Sequence, residues 1–140
     1  MCGLVAVFSR QKIPSGIVAS ALDQMYARGP DGVGVWEGER VTLGHRRLAI
    51  IDLDERAAQP MCSHDDRYFI VFNGEIYNYQ TLKAELTLKG INFTTSSDTE
   101  VLLAMYQEYG ADMLAKLEGM FAFVIWDNLK QVGIAARDPY

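Results

Sequence analysis

Histidine and cysteine are scarce in this sequence, with two of each in 140 residues. Neither CxxC nor HxxxH spacing joins them, which excludes the usual ligand sets of structural zinc, and no metal is expected. A chain of this size folds without a disulfide, so Cys2 and Cys62 are read as thiols. Long apolar runs are missing as well. No stretch approaches the roughly 18 residues of a membrane span, and the opening MCGLVAVFSRQ lacks a basic leader. The expectation is therefore a protein of the cytoplasm with no membrane attachment. Basic clusters are also absent: the 13 Lys and Arg are scattered and the net charge is -5, so no nucleic-acid footprint is expected. There is no internal repeat or low-complexity segment.

What is present is the patterning of one ordinary domain, with 49% hydrophobic residues. Gly3 to Phe8 is an apolar, β-leaning run. Pro14 and Ser15 mark a helix start before Ile17, Val18, Ala21, Leu22 and Met25 at helical spacing. ARGPDGVG reads as a loop. Val33 to Trp36, Val41 to Leu43 and Leu48 to Leu53 are short strand candidates, and Tyr68 to Phe72 is another. Asn78 is placed to cap a helix carrying Leu82 and Leu86 inward and ending at Gly90. Ser97 with Glu100 has the spacing of a capping box, followed by Val101, Leu102, Met105 and Tyr109, with Gly110 as terminator. Met120 to Trp126 and Val132 to Ala136 flank DNLKQ as a hairpin. Antiparallel strands interrupted by about three helices predict an α+β domain with helices packed over antiparallel sheet.

Three segments hold residues with chemical potential. Cys2 follows the initiator Met, and removal of Met1 gives one residue a thiol nucleophile and an α-amino group whose ordinary pKa is near 8. That pairing needs no histidine partner, but a buried packing thiol is an equal reading on position alone. In NGEIYN, Asn73 and Gly74 form a hairpin-turn signal; an Asn amide beside a glycine N–H is equally a donor pair for an oxyanion. HRRLAIIDL sets two arginines at the start of an apolar run. A solvated face explains them more simply than bidentate binding of a carboxylate by one of them.

Taken in order, MCGLVAVF, RGPDG, GHRRLAIIDL, VFNGEIYN, SSDTEV, EGMFAFVIWD and AARD resemble the glutaminase domain of glutamine-hydrolysing asparagine synthetases, over essentially the whole chain. The resemblance implies a class II glutamine amidotransferase of the N-terminal nucleophile type, with antiparallel sheets between helices. It makes Cys2 the nucleophile, once Met1 is cleaved, and gives L-glutamine as substrate. By the same resemblance Asn73, through its side chain, and Gly74, through its N–H, form the oxyanion hole. Arg47 grips the α-carboxylate, and Glu75 and Asp98 lie near the α-amino group.

Two departures bear on these expectations. Ala27 stands before RGPDG, where the family usually has His. The sequence stops at AARDPY and contains no SGGxDS-like pyrophosphatase loop, so residues 1–140 are expected to be a C-terminally incomplete glutaminase domain without its synthetase domain. ATP and magnesium are accordingly expected only in that further domain or subunit, with no cofactor in this chain. A homo-oligomer remains open, as does the ammonia acceptor, for which aspartate is the commonest expectation. The rival readings are a non-catalytic interaction domain and an N-terminal-nucleophile hydrolase acting on another amide.

Overall fold

Two apolar runs, YFIVF and FAFVIW, dominate the middle and end of the chain. Neither alternates with polar residues, as strands buried on both faces do not. In the structure, a computed structural model describing residues 2–49 and 54–140, they are the paired central strands β5 (Tyr68–Ile76) and β6 (Gly119–Asp127). One face of this pair carries Ile70, Phe72, Ile76, Phe123 and Ile125 against α2 (Tyr79–Leu88) and α3 (Asp98–Tyr109), which contribute Leu82, Leu86, Val101, Leu102 and Met105. The other face, with Phe69, Val71, Val124 and Trp126, meets Val41 and Leu43 of a second sheet.

That second sheet is antiparallel, in the order β1 (Gly3–Phe8), β3 (Val41–Arg47), β2 (Gly32–Glu37). α1 (Ile17–Gln24) lies on it through buried Val18 and Leu22. The larger sheet runs β4 (Met61–Cys62), β5, β6, β7 (Val132–Arg137), also antiparallel. The layers are thus helix, sheet, sheet, helix, as the α+β expectation requires. Phe123, Leu22 and Ile125 are each no more than 1% exposed, so truncating any of them costs about 2–5 kcal/mol.

Four local expectations are corrected. Asn73 and Gly74 make no hairpin turn, because β5 continues through them to Ile76 and pairs with β6. Leu48 and Ala49 are not in a strand, and residues 50–53 of that expected strand lie outside the described residues. The Ser97 hydroxyl caps α3 by accepting the Thr99 N–H, but Glu100 does not return to Ser97; its carboxylate accepts the N–H groups of Thr94 and Thr95 instead. Asn78 precedes α2 without a side-chain cap, its amide bridging the Lys116 carbonyl and the Glu118 N–H. Two-residue β4 and the 3₁₀ turn Gly110–Lys116 lack a clear sequence signal.

Candidate active site

The register of the small sheet starts the site. Gly3 lies opposite Arg46, which sets Cys2 beside the end of β3, where the chain leaves the sheet through Arg47 and Leu48. The half-buried Cys2 thiol rests against Leu48: its Sγ accepts the Leu48 N–H at 3.2 Å and lies 3.5 Å from the Leu48 carbonyl oxygen. Arg28 Nε donates to the Cys2 carbonyl at 3.2 Å, and Asp31 accepts the Ala49 N–H at 2.9 Å. The RGPDG loop therefore braces both the thiol-bearing residue and the segment it leans on.

The second wall is the end of β5. In an antiparallel strand, alternate residues direct their N–H and C=O to the same edge. The Tyr77 N–H goes to Glu118 at the β6 side, so the even-numbered residues face the opposite edge. Because β4 is only two residues long and pairs with Phe69 and Ile70, it offers no ladder partner further along that edge. Side chains take its place. The Phe72 N–H donates to Gln59 Oε1 at 2.6 Å, its carbonyl accepts from His45 Nε2 at 3.0 Å, and the Ile76 N–H donates to Asp98 Oδ2 at 3.1 Å. Gly74, midway between Phe72 and Ile76, turns its peptide N–H to the same edge. Its φ of 144° and the 2.1 Å that would separate an added Cβ from the Met120 carbonyl oxygen require glycine there.

These walls enclose a cavity of ≈ 180 Å³ lined by Cys2, Arg47, Asn73, Gly74, Glu75 and Asp98. All six residues singled out from the sequence thus converge. The cavity is smaller than the roughly 300–1,000 Å³ of drug-sized sites, a scale that suits a small metabolite. Asp98, 4% exposed at the start of α3, has its carboxyl pushed above the ordinary value by burial and by the charge of Glu75, against the lowering effect of the Ile76 N–H. Glu75 is exposed at the rim. Arg47, which also lines the cavity, donates from Nη1 to the Asp54 carbonyl at 3.1 Å. The Asn73 amide oxygen is buried and has no partner among the described residues.

His45, 1% exposed, also lines the cavity. Its Nε2 faces a carbonyl and so carries the proton, leaving Nδ1 as a buried acceptor with no partner among the described residues. Burial, outweighing the Phe72 carbonyl that favours the proton and helped by nearby Arg47, pushes its pKa down to about 4. The ring is neutral at pH 7. The other thiol, Cys62, lies away from this cavity. Among the described residues, no group of three or more His, Cys, Asp or Glu side chains is placed to hold a metal ion. No helix among them is long and apolar enough to cross a membrane.

A family model described as a glutamine amidotransferase domain matches residues 1–140. The chain belongs to that family. It is 46% identical over its whole length to asparagine synthetase [glutamine-hydrolyzing] 1 of Bacillus subtilis (strain 168), covering 23% of that protein. It is 38% identical over 99% of its length to asparagine synthetase B [glutamine-hydrolyzing] of Escherichia coli (strain K12), covering 25% of it. The amidotransferase chain thus spans about a quarter of the length of these curated relatives. Among solved structures, glutamine phosphoribosylpyrophosphate amidotransferase from B. subtilis superposes with a TM-score of 0.80 at 23% identity, over 99% of this chain and 37% of that one. At that identity the likeness is one of fold, and the fold is the expected one.

Four residues that shape the cavity of this amidotransferase carry little signal in the sequence. Arg28 and Asp31 sit in a motif that reads locally as a Gly-Pro loop. His45 has no partner cysteine spacing to mark it, and Gln59 lies in a polar stretch. Their side-chain contacts span 13 to 40 positions along the chain, from Gln59 with Phe72 to Gln59 with Thr99.

Proposed function

We propose that this amidotransferase domain hydrolyses L-glutamine to L-glutamate and ammonia at Cys2. The observation that carries the reading is the cavity itself: one space of metabolite size is lined by Cys2, by Asn73 and Gly74 near the end of β5, by the buried Asp98 and by Arg47.

With Met1 removed, the Cys2 α-amino group takes the thiol proton and the thiolate attacks the glutamine side-chain carbonyl carbon. The oxyanion of the tetrahedral adduct accepts the Gly74 N–H and the Asn73 side-chain amide. The amino group returns its proton to the leaving nitrogen, ammonia departs, and a γ-glutamyl thioester remains. Water, deprotonated by the same amino group, cleaves the thioester to glutamate and restores the thiol. Arg47 receives the α-carboxylate, and Asp98 with Glu75 receives the α-ammonium, which selects a free amino acid over a glutamine within a peptide. An ammonium beside Asp98 offsets the burial that raises its pKa.

No cofactor enters these steps. The ammonia passes to an ATP- and magnesium-dependent synthetase domain or subunit, with aspartate as the expected acceptor on the model of the relatives' names. A reducing cytoplasm suits a free catalytic thiol; homo-oligomerisation is compatible with this scheme and not required by it. The test is release of glutamate and ammonia from glutamine by the purified chain beside Cys2→Ala, with mass spectrometry of the N-terminus. Equal release by both chains, or none by a chain lacking Met1, overturns the proposal. Full activity with Met1 retained overturns the α-amino base.

A further inference from the structure

Gln59 belongs to neither sheet, yet its amide joins the two ends of the cavity. Its Oε1 accepts the N–H of Phe72, the residue before Asn73, at 2.6 Å, and its Nε2 donates to Oγ1 of Thr99, the residue after Asp98, at 3.3 Å. The backbone of Gln59 is itself pinned. An added Cβ on Gly34 would lie 2.1 Å from the Gln59 carbonyl oxygen, so β2 passes in direct contact with this residue. At the same edge the Phe72 carbonyl accepts from His45 Nε2. Phe72 and Thr99 are both no more than 3% exposed, and Gln59 between them is half-buried at the cavity.

We infer that Gln59 is a positioning residue that sets the separation between the oxyanion donors at Asn73 and Gly74 and the ammonium acceptor at Asp98. The inference rests on the glutaminase reading above. A substrate amino acid must reach both ends at once, and its side-chain length determines whether it does. Glutamine and asparagine differ by one methylene. A site whose two ends are fixed relative to each other distinguishes them; a site whose ends drift does not. A second contact, the buried Ile76 N–H to Asp98, ties β5 to α3 directly, and half-buried Gln59 supplies a further tie between them.

Three variants of the full chain test this: Gln59→Leu, Gln59→Glu and Thr99→Val, each assayed for kcat and KM with glutamine and with asparagine, with circular dichroism to confirm folding. Gln59→Leu removes both contacts; the expected result is a kcat for glutamine lower by about 10- to 100-fold with little change in KM, the scale of a misplacement near 1 Å. The ratio of glutamine to asparagine kcat/KM falls by about tenfold or more, a change within the few kcal/mol that separates substrates by one methylene. Gln59→Glu restores both values to near wild type, since its carboxylate accepts the Phe72 N–H and the Thr99 hydroxyl alike. Thr99→Val breaks the same link from the other end and gives the same pattern, so the inference stays open to refutation should Gln59→Leu not fold.

Wild-type kcat and substrate ratio in folded Gln59→Leu and Thr99→Val overturn it. So does a lower kcat with an unchanged ratio, which marks a purely structural tie. A wild-type chain that releases no more glutamate than Cys2→Ala overturns the functional reading first, and this inference with it.

Discussion

Cys2 and Asp31 hold successive amides of one short segment: the Leu48 N–H reaches Cys2 Sγ at 3.2 Å, and the Ala49 N–H reaches Asp31 Oδ2 at 2.9 Å. The loop carboxylate thereby fixes the backbone against which the thiol is oriented. Asp31→Ala frees that backbone while removing only an exposed hydrogen bond, worth about 1 kcal/mol of stability. The expected outcome is a kcat/KM for glutamine lower by roughly 10- to 100-fold with a melting temperature shifted by only a few degrees. A melting curve and a steady-state assay on the same preparation check it, and unchanged kcat/KM removes Asp31 from the positioning of the thiol.

The surroundings of Cys62 predict a low reactivity for that thiol. Burial, a hydrogen bond to Asp66 and the charges of Asp66 and Asp65 push the Cys62 thiol up to about 12. Its thiolate is therefore scarce at neutral pH despite the residue's exposure. Limited alkylation at pH 7.5 followed by peptide mass spectrometry is expected to modify Cys2 first, and glutamine in the buffer to protect Cys2 alone. Faster modification of Cys62 contradicts this.

Asp98 predicts a pH dependence of substrate binding. Its folded pKa lies above the ordinary carboxylate value, mainly through burial. As the pH falls through that raised value the carboxylate takes up a proton and loses its attraction for an ammonium. KM for glutamine therefore rises toward acid pH sooner than an ordinary aspartate allows. Asp98→Asn is expected to raise KM by about 10- to 100-fold at pH 7, the worth of a charged hydrogen bond, and to abolish this limb of the profile. KM measured from pH 7.5 to 5 decides the matter; an Asp98→Asn profile that keeps the wild-type limb assigns the titration elsewhere.

What could be read ahead of the structure follows the range of the interactions concerned. β5, β6 and α3 announce themselves because their burial is written in consecutive side chains. Asn73-Gly74 misleads locally: a turn is what those two residues favour alone, and it is β6, over 40 positions later, that keeps them extended. Glu100 has capping-box spacing but finds the closer N–H groups of Thr94 and Thr95. The six residues that line the cavity are singled out through the order of motifs, since no periodicity brings Cys2 to Arg47 or Gly74 to Asp98. The sheet register and the shortness of β4 do that. His45 and Gln59 replace missing ladder bonds, and no sequence pattern marks where a ladder will end.

His45 gives the last prediction, on stability. Its ring is neutral in the folded protein, with a pKa pushed down to about 4 by burial, whereas the unfolded chain has the ordinary value of 6.5. Between these two values the unfolded state binds a proton that the folded state refuses, so folding weakens as the pH falls. The loss begins near 6.5, proceeds at about 1.4 kcal/mol per pH unit, and reaches roughly 3 kcal/mol by pH 4. Asp98 works in the opposite sense, because its raised folded pKa favours the folded state on protonation, and Asp127, pushed down to about 2 chiefly by Arg67, loses its contribution only below the ordinary carboxylate value. The His45 share is isolated by comparison with His45→Gln, which retains an N–H for the Phe72 carbonyl and does not titrate. Urea unfolding at a series of pH values is expected to show the wild type ahead by a constant margin above pH 7, and that margin shrinking from pH 6.5 to 4. A margin independent of pH places the titration on another group.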